Sequence, residues 1–240
     1  MPFPFPVLYE DKSLLAIDKP PLYHCIEQEG SSAPCIASEL ILWNPALGDV
    51  STTPKESGLV HRLDYSTSGV LLIAKSRDAW TNLREQFSFG GIQKEYLALC
   101  EGRFEDEMRL ENFIGSPYRR GKKVRVYPRE ESRTQRAVST FSANTYFAQE
   151  DCSLLRVAIE TGVRHQIRAH TAHLKHPLIG DEVYGAKILG ETAEKLFRKL
   201  LGETRKRDFF LHACRLTITH PTNHTLLSLE SSLSFSLPFG

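Results

Sequence analysis

The chain of 240 residues has no apolar run long enough to cross a bilayer; residues 70–74 are among its longest. Its opening Met1-Pro2-Phe3-Pro4-Phe5-Pro6 has neither a basic segment nor a continuous apolar one, so no secretory signal is expected. The five cysteines (Cys25, Cys35, Cys100, Cys152, Cys214) form no Cys-x-x-Cys pair and are odd in number. Such scatter suits a reducing cytoplasm better than a disulfide framework. Repeats and low-complexity tracts are absent. So is an excess of one sign of charge, because 30 Lys and Arg against 29 Asp and Glu leave +1. The molecule as a whole therefore exerts little steering on a polyanion.

What is present is an ordinary globular composition, 41% hydrophobic, 25% charged and 10% aromatic, enough for one substantial core or two small ones. The charge is segregated. Arg119, Arg120, Lys122, Lys123, Arg125, Arg129, Arg133 and Arg136 are opposed locally only by Glu130 and Glu131, and acid gathers instead over residues 101–111. That pattern can present a basic face to phosphate, although charge alone does not distinguish it from solvated loops.

Hydrophobic periodicity predicts a hairpin of residues 7–9 and 14–17, and a helix over 34–43 capped by Ser32. Residues 44–58 read as loop. A buried strand follows over 70–75, then a helix begun by Ser76 and stopped by Gly90-Gly91, with Trp80, Leu83 and Phe87 on one stripe. Further strands are expected at 92–100, 123–127, 137–147, 154–159, 209–219 and 225–229, and further helices at 164–175 and 191–201. Strands follow one another without regular helical crossovers. The fold class expected is α+β, a mixed and mostly antiparallel sheet with flanking helices. No convincing linker divides the chain, so a single domain over 1–240 is expected.

Four segments carry chemistry. His61-Arg62-Leu63-Asp64-Tyr65-Ser66-Thr67-Ser68-Gly69 sets an acid in a Ser/Thr/Gly turn at the mouth of an apolar strand, where a rigid edge could project it. An isolated Asp in a turn is usually only a turn former. Thr161-Gly162-Val163-Arg164-His165-Gln166-Ile167-Arg168 opens a helix on which spacing puts Arg164 and Arg168 on one face. An arginine at the positive end of a helix does nothing for helix stability, so a carboxylate or phosphate partner is expected. Lys94-Glu95-Tyr96 is a strand in which Tyr96 could offer a ring to a pocket. His176-Pro177-Leu178-Ile179-Gly180-Asp181, Tyr184-Gly185, Leu211-His212-Ala213 and His220-Pro221 read as structural turns.

These motifs, in this order, resemble the RluA-type RNA pseudouridine synthases over about residues 14–229. His61 to Lys75 is the long, specific element; the others are short but collinear. The resemblance implies a bent, mostly antiparallel sheet with a central cleft. It implies Asp64 as catalytic aspartate, Arg168 as the basic residue pairing with it, Tyr96 as the aromatic on the target base, and Arg62 as the residue entering the RNA stack. His61 and Arg164 are expected on the substrate side, and Arg119, Arg120, Lys122, Lys123 and Arg125 on phosphates. Two departures stand out. Lys19-Pro20-Pro21-Leu22-Tyr23-His24-Cys25 lacks the glycine of the usual Lys-Pro-x-Gly and the following His-Pro, and Arg164 is displaced by one position. With the first motif beginning near Leu14, no accessory RNA-binding domain is expected ahead of it.

The implied reaction breaks the bond from the anomeric carbon to uracil N1, turns the base and rejoins it through C5. Nothing is oxidised and no group is gained, so no cofactor, metal or nucleotide is expected. An ionised carboxylate beside the ribose serves either as nucleophile or as base. The uridine must be flipped out at a few kcal/mol, which favours a stem-loop of tRNA or rRNA as partner. A monomeric cytoplasmic protein is the default expectation. Three alternatives are weighed. His165, His170, His173 and His176 raise a metal site, but they fan over a broad arc without supplementary ligands. An RNA-binding protein of the same fold without activity would fit a degraded first motif. A glycosidase would ordinarily need a second carboxylate, which no motif supplies.

Overall fold

Ten strands and four α-helices form among the described residues of the computed structural model, which are 3–105, 107–118, 121–203 and 205–232. In chain order they are β1 (Val7–Glu10), β2 (Leu14–Lys19), α1 (Ile36–Trp43), β3 (Ser68–Ala74), α2 (Arg77–Phe89), β4 (Gln93–Glu101), β5 (Met108–Gly115), β6 (Arg125–Tyr127), β7 (Thr134–Phe147), β8 (Cys152–Ile159), α3 (Gln166–His173), α4 (Gly190–Leu201), β9 (Leu211–Thr219) and β10 (Leu226–Glu230). They fall into two compact units, one of Met1–Gln93 with Ala213–Ser232 and the other containing Lys94–His212.

In the first unit the β1–β2 hairpin continues antiparallel into β3, with Leu14 opposite Ala74 and Lys19 opposite Gly69. All seven residues of β3 are buried, which is why it reads as an unbroken apolar run rather than an alternating one. Each large aliphatic side chain so buried contributes roughly 1.5–3 kcal/mol. β9 lies beside β3, and β10 pairs antiparallel with it, Leu226 opposite Thr219 and Glu230 opposite Arg215. The approach of β3 and β9 is close enough that a Cβ on Gly69 (φ +108°) would stand 2.2 Å from the Ala213 carbonyl oxygen, so only glycine fits there. α2 is begun by Ser76, whose hydroxyl accepts from the Ala79 amide, and it ends at left-handed Gly90.

The second unit is an antiparallel sheet in the order β4-β8-β7-β5-β6. Strand β5 was not foreseen. Its acidic and basic side chains interrupt the apolar alternation because they pair with one another: Glu111 holds Arg109 and Arg136, and Arg109 reaches Glu160. Packed against β5 and β7, α3 buries every residue from Gln166 to Thr171. Two further expectations are corrected. α1 is preceded by Cys35 with no side-chain cap, so Ser32 is not its cap. Residues 44–58 are not plain loop but contain two short 3-10 turns, Pro45–Asp49 and Pro54–Glu56.

A buried polar chain stitches α3 to the sheet. Gln166 donates to the Val138 carbonyl and Ser139 Oγ, and it accepts from the Thr161 hydroxyl and the Val163 amide. The His170 ring lies between Ser139 Oγ and Asn112 Oδ1, 2.9 Å from each. Burial, with a lesser push from His173, takes its pKa down to about 4, so the ring is neutral at physiological pH. Below the usual histidine range near 6.5 the unfolded chain takes up a proton that the folded ring refuses. Stability attributable to His170 is therefore complete above about 6.5 and falls between there and about 4, by on the order of 3 kcal/mol. Urea unfolding across that window should show the loss, and a His170→Gln variant should flatten it; an equally steep fall in the variant would assign the effect elsewhere.

Candidate active site

Asp64 stands half-buried at the end of a segment pinned almost residue by residue. Helix α2 supplies the first fixings, from positions spaced three and four apart on one face. The Trp80 indole donates to the Leu59 carbonyl at 3.0 Å, Arg84 donates to the Val60 carbonyl at 3.0 Å, and the Phe87 ring stacks on His61 at 4.8 Å. His61 Nε2 in turn accepts from the Leu72 amide of β3, which commits that ring to the scaffold. Arg62 is exposed. Leu63 is held at both backbone groups by one thiol: Cys25 Sγ accepts from its amide and donates to its carbonyl, each at 3.3 Å. Burial pushes the Cys25 thiol up, which keeps the proton it donates.

The turn itself is closed by the Thr67 amide donating to the Asp64 carbonyl. Around it sits a residue that sequence reading left in the background. Lys19, at the end of β2, is completely buried, and its ammonium donates to the carbonyls of Pro20 (2.9 Å), Tyr65 (3.3 Å) and Thr67 (2.7 Å). Two of those three acceptors belong to the Asp64 turn. The Tyr65 carbonyl accepts also from the Leu22 amide. Leu22 occupies the position where the resembled motif carries glycine, and it adopts φ +62°, the left-handed conformation that glycine reaches without strain. The signal for Lys19 was available: a lysine ending a strand whose first four residues are apolar and buried.

In the second unit Arg168 projects from α3 and meets the carboxylate of Asp181 in a two-pronged contact, Nε to Oδ2 at 2.7 Å and Nη2 to Oδ1 at 2.9 Å. Its guanidinium also lies 5.0 Å from the Tyr184 ring centroid and 4.3 Å from that of Phe209. Asp181, read earlier only as part of a turn, is thus a carboxylate partner of this arginine. Gly180 (φ +88°) makes room, because a Cβ there would stand 2.0 Å from the Asp208 carbonyl oxygen. Tyr184 is an anchor in its own right: its hydroxyl accepts from the Val124 amide and hydrogen-bonds His165 Nδ1. Tyr96 is buried in β4 opposite Val157; Lys94, two residues earlier on the same face, is buried too and donates to the Thr161 carbonyl at 3.2 Å. Burial lowers the Lys94 pKa.

Arg164 corrects its expected placement. It precedes α3, whose N-cap is His165 at φ +54°, so it does not share a helix face with Arg168. Its guanidinium instead donates to the carbonyls of Gly121 and Lys122 and braces that loop. Lys123 lies 5.1 Å from the Tyr184 ring, while Lys122, Arg125 and Arg129 are exposed and form no ion pair among the described residues. Arg119 and Arg120 lie outside the described residues. Of the four histidines weighed as metal ligands, His165, His170 and His176 each have a ring nitrogen within hydrogen-bond range of a protein group. Among the described residues no three potential ligands gather to hold a metal, and no helix is long and apolar enough to cross a membrane.

Comparisons with known proteins bear on the family and the fold. A family model described as RNA pseudouridylate synthase matches residues 13–173. The ribosomal large subunit pseudouridine synthase D of Nitrosomonas europaea is 32% identical over 232 residues, 96% of this chain and 62% of that protein. The Blochmanniella floridana protein of the same name is 30% identical over 234 residues, 96% and 70% of the two lengths. The chain thus spans a little under to a little over two thirds of these relatives. Two solved human structures share the fold: RNA Pseudouridylate Synthase Domain Containing 1, with TM-score 0.70 and 21% identity over 96% of this chain and 84% of that one, and Domain Containing 4, with 0.69 and 23% over 95% and 88%.

Replacing Lys19 by Met keeps the stem and removes the ammonium, leaving buried carbonyls without their donor. The variant should lose about 3 kcal/mol or more in urea unfolding. A loss under about 1 kcal/mol would mean that the turn does not depend on this cation.

Proposed function

The chain belongs to the RNA pseudouridylate synthase family, and we propose that it isomerises a uridine of structured ribosomal or transfer RNA to pseudouridine, with Asp64 as the carboxylate that acts at the ribose. The observation that carries this reading is the mounting of Asp64. Neighbours on both sides are held by Lys19, Cys25 and helix α2, so the carboxylate is carried on a preorganised turn rather than on a mobile loop.

In this reading the Asp64 carboxylate either attacks the anomeric carbon or takes the proton from its neighbour, and the bond to N1 breaks. The detached uracil turns and rejoins through C5, which then gives up its proton while N1 ends protonated. Both routes need the acid ionised, and Arg168 is assigned as the cation that keeps it so. Its grip on Asp181 and its packing between Tyr184 and Phe209 support a fixed orientation for that cation. Tyr96 is assigned to stack on the extruded base and Arg62, exposed and one residue before Leu63, to fill the vacated stack. Nothing is oxidised or reduced and no group is transferred from outside, so the proposal includes no cofactor, metal or nucleotide. Lys122, Lys123, Arg125 and Arg129 would take phosphates. The reading treats the chain as one catalytic domain acting as a monomer. Free cysteines, four of them buried, suit a reducing cytoplasm.

Asp64→Asn should abolish pseudouridine formation in ribosomal and transfer RNA while RNA binding changes little. Appreciable turnover by that variant would remove Asp64 from the chemistry, and a wild-type protein that binds RNA without ever modifying it would make this a binding protein. Arg125→Ala with Arg129→Ala should weaken binding across RNA sequences and lower the dependence of log K on log salt by roughly one to two. An unchanged salt slope would place the phosphate grip elsewhere.

A further inference from the structure

Immediately after Asp64 comes a tyrosine whose ring is not committed to the core. The Tyr65 and His24 rings lie 4.6 Å apart and 31° from parallel, and both residues are half-buried. We propose that this pair is a shelf on which an unpaired nucleobase of the RNA, next to the target uridine, stacks; the proposal rests on the reading of Asp64 given above.

Three observations lead there. The first is rigidity. The Tyr65 carbonyl accepts from the Leu22 amide at 2.8 Å and from Lys19, the His24 amide donates to the Pro34 carbonyl at 2.9 Å, and the His24 carbonyl accepts from the Ile36 amide at 2.8 Å. The His24 ring is steadied by Ser31 Oγ at 3.2 Å. A half-exposed aromatic pair on so fixed a backbone presents area to a partner without an ordering penalty.

The second is the state of the polar atoms. A buried Tyr in a core normally ties its hydroxyl to a partner. The Tyr65 hydroxyl makes no hydrogen bond among the described residues and is left for an outside acceptor. Burial, and next the Lys19 ammonium, lower the His24 pKa, so at neutral pH the histidine is a flat uncharged ring.

The third is the chemistry of the surroundings. Residues 20–34 contain no Lys or Arg, and they carry Glu27 and Glu29. That loop offers nothing to a phosphate, but ring area to a base, whose π-face any sequence supplies. Continuity selects RNA over a protein partner, because Tyr65 follows Asp64 directly and Arg62 is two residues before it.

The test uses a short RNA hairpin with one loop uridine and 2-aminopurine beside it. Wild-type protein and Asp64→Asn should quench the 2-aminopurine fluorescence on binding. Tyr65→Leu, which keeps bulk but not the π-face, should lose the quench and bind about tenfold more weakly; Tyr65→Phe should restore both. A hairpin with an abasic residue at the reporter position should bind wild type and Tyr65→Leu alike. Should Tyr65→Leu fail to fold, His24→Leu takes its place. Retained quench and wild-type affinity in Tyr65→Leu, or equal weakening of the abasic hairpin, would overturn the shelf. Pseudouridine formation is assayed separately, so a wild-type protein that quenches but never modifies RNA sinks the Asp64 reading and not the shelf.

Discussion

The buried ammonium of Lys19 is the contact on which the first unit is organised. A cation removed wholly from water is tolerable only where dipoles replace its hydration, and three carbonyl oxygens aimed at one nitrogen do that. The requirement runs both ways. Those carbonyls come from the end of β2 and from the turn after Asp64, so satisfying the cation draws segments about 50 residues apart in sequence into one arrangement. The turn that presents an acid is shaped by a need for charge compensation beneath it.

The second unit repeats the logic with other groups. Arg168 is fixed by a carboxylate and two aromatic faces, and the residues that make this possible are themselves fixed: Tyr184 by the Val124 amide and His165, Gly180 by the close passage of residue 208. Gln166 saturates its amide with four partners and thereby ties the entry of α3 to β7. Short motifs that look like reactive strings in the sequence are therefore mostly backbone-satisfying devices. One charged side chain per motif is held in place, and its neighbours do the holding.

This explains what was legible. Nine of the ten strands and all four helices among the described residues follow from apolar patterning and turn signals, which are local in sequence. β5 escaped because its charges are satisfied across strands, by Arg136 of β7 and Glu160, a pairing that has no trace in local sequence. Arg164 was misplaced for the opposite reason. Its spacing from Arg168 is helical, but His165 takes a positive φ as the N-cap, so the helix begins only at Gln166, two residues after Arg164. Lys19 and Asp181 were seen as parts of motifs without a role, since the partners that give them one are distant carbonyls and an arginine 13 residues earlier.

The two departures in the segment 19–25 show which feature of a motif is under physical constraint. Where the motif it resembles has glycine, Leu22 takes a left-handed backbone that glycine would reach without strain, at a cost of about 1 kcal/mol or more for an L-residue. That strain is sustained because the Leu22 amide must donate to the Tyr65 carbonyl, the same oxygen that Lys19 uses. Where the His-Pro is lost, the Cys25 thiol takes hold of Leu63 by both its backbone groups, a grip that needs one atom able to donate and accept at once. In both places the residue present holds the backbone of the Asp64 turn. A backbone that must be held can be held by more than one side chain, whereas the buried cation and the acid it supports admit few substitutes.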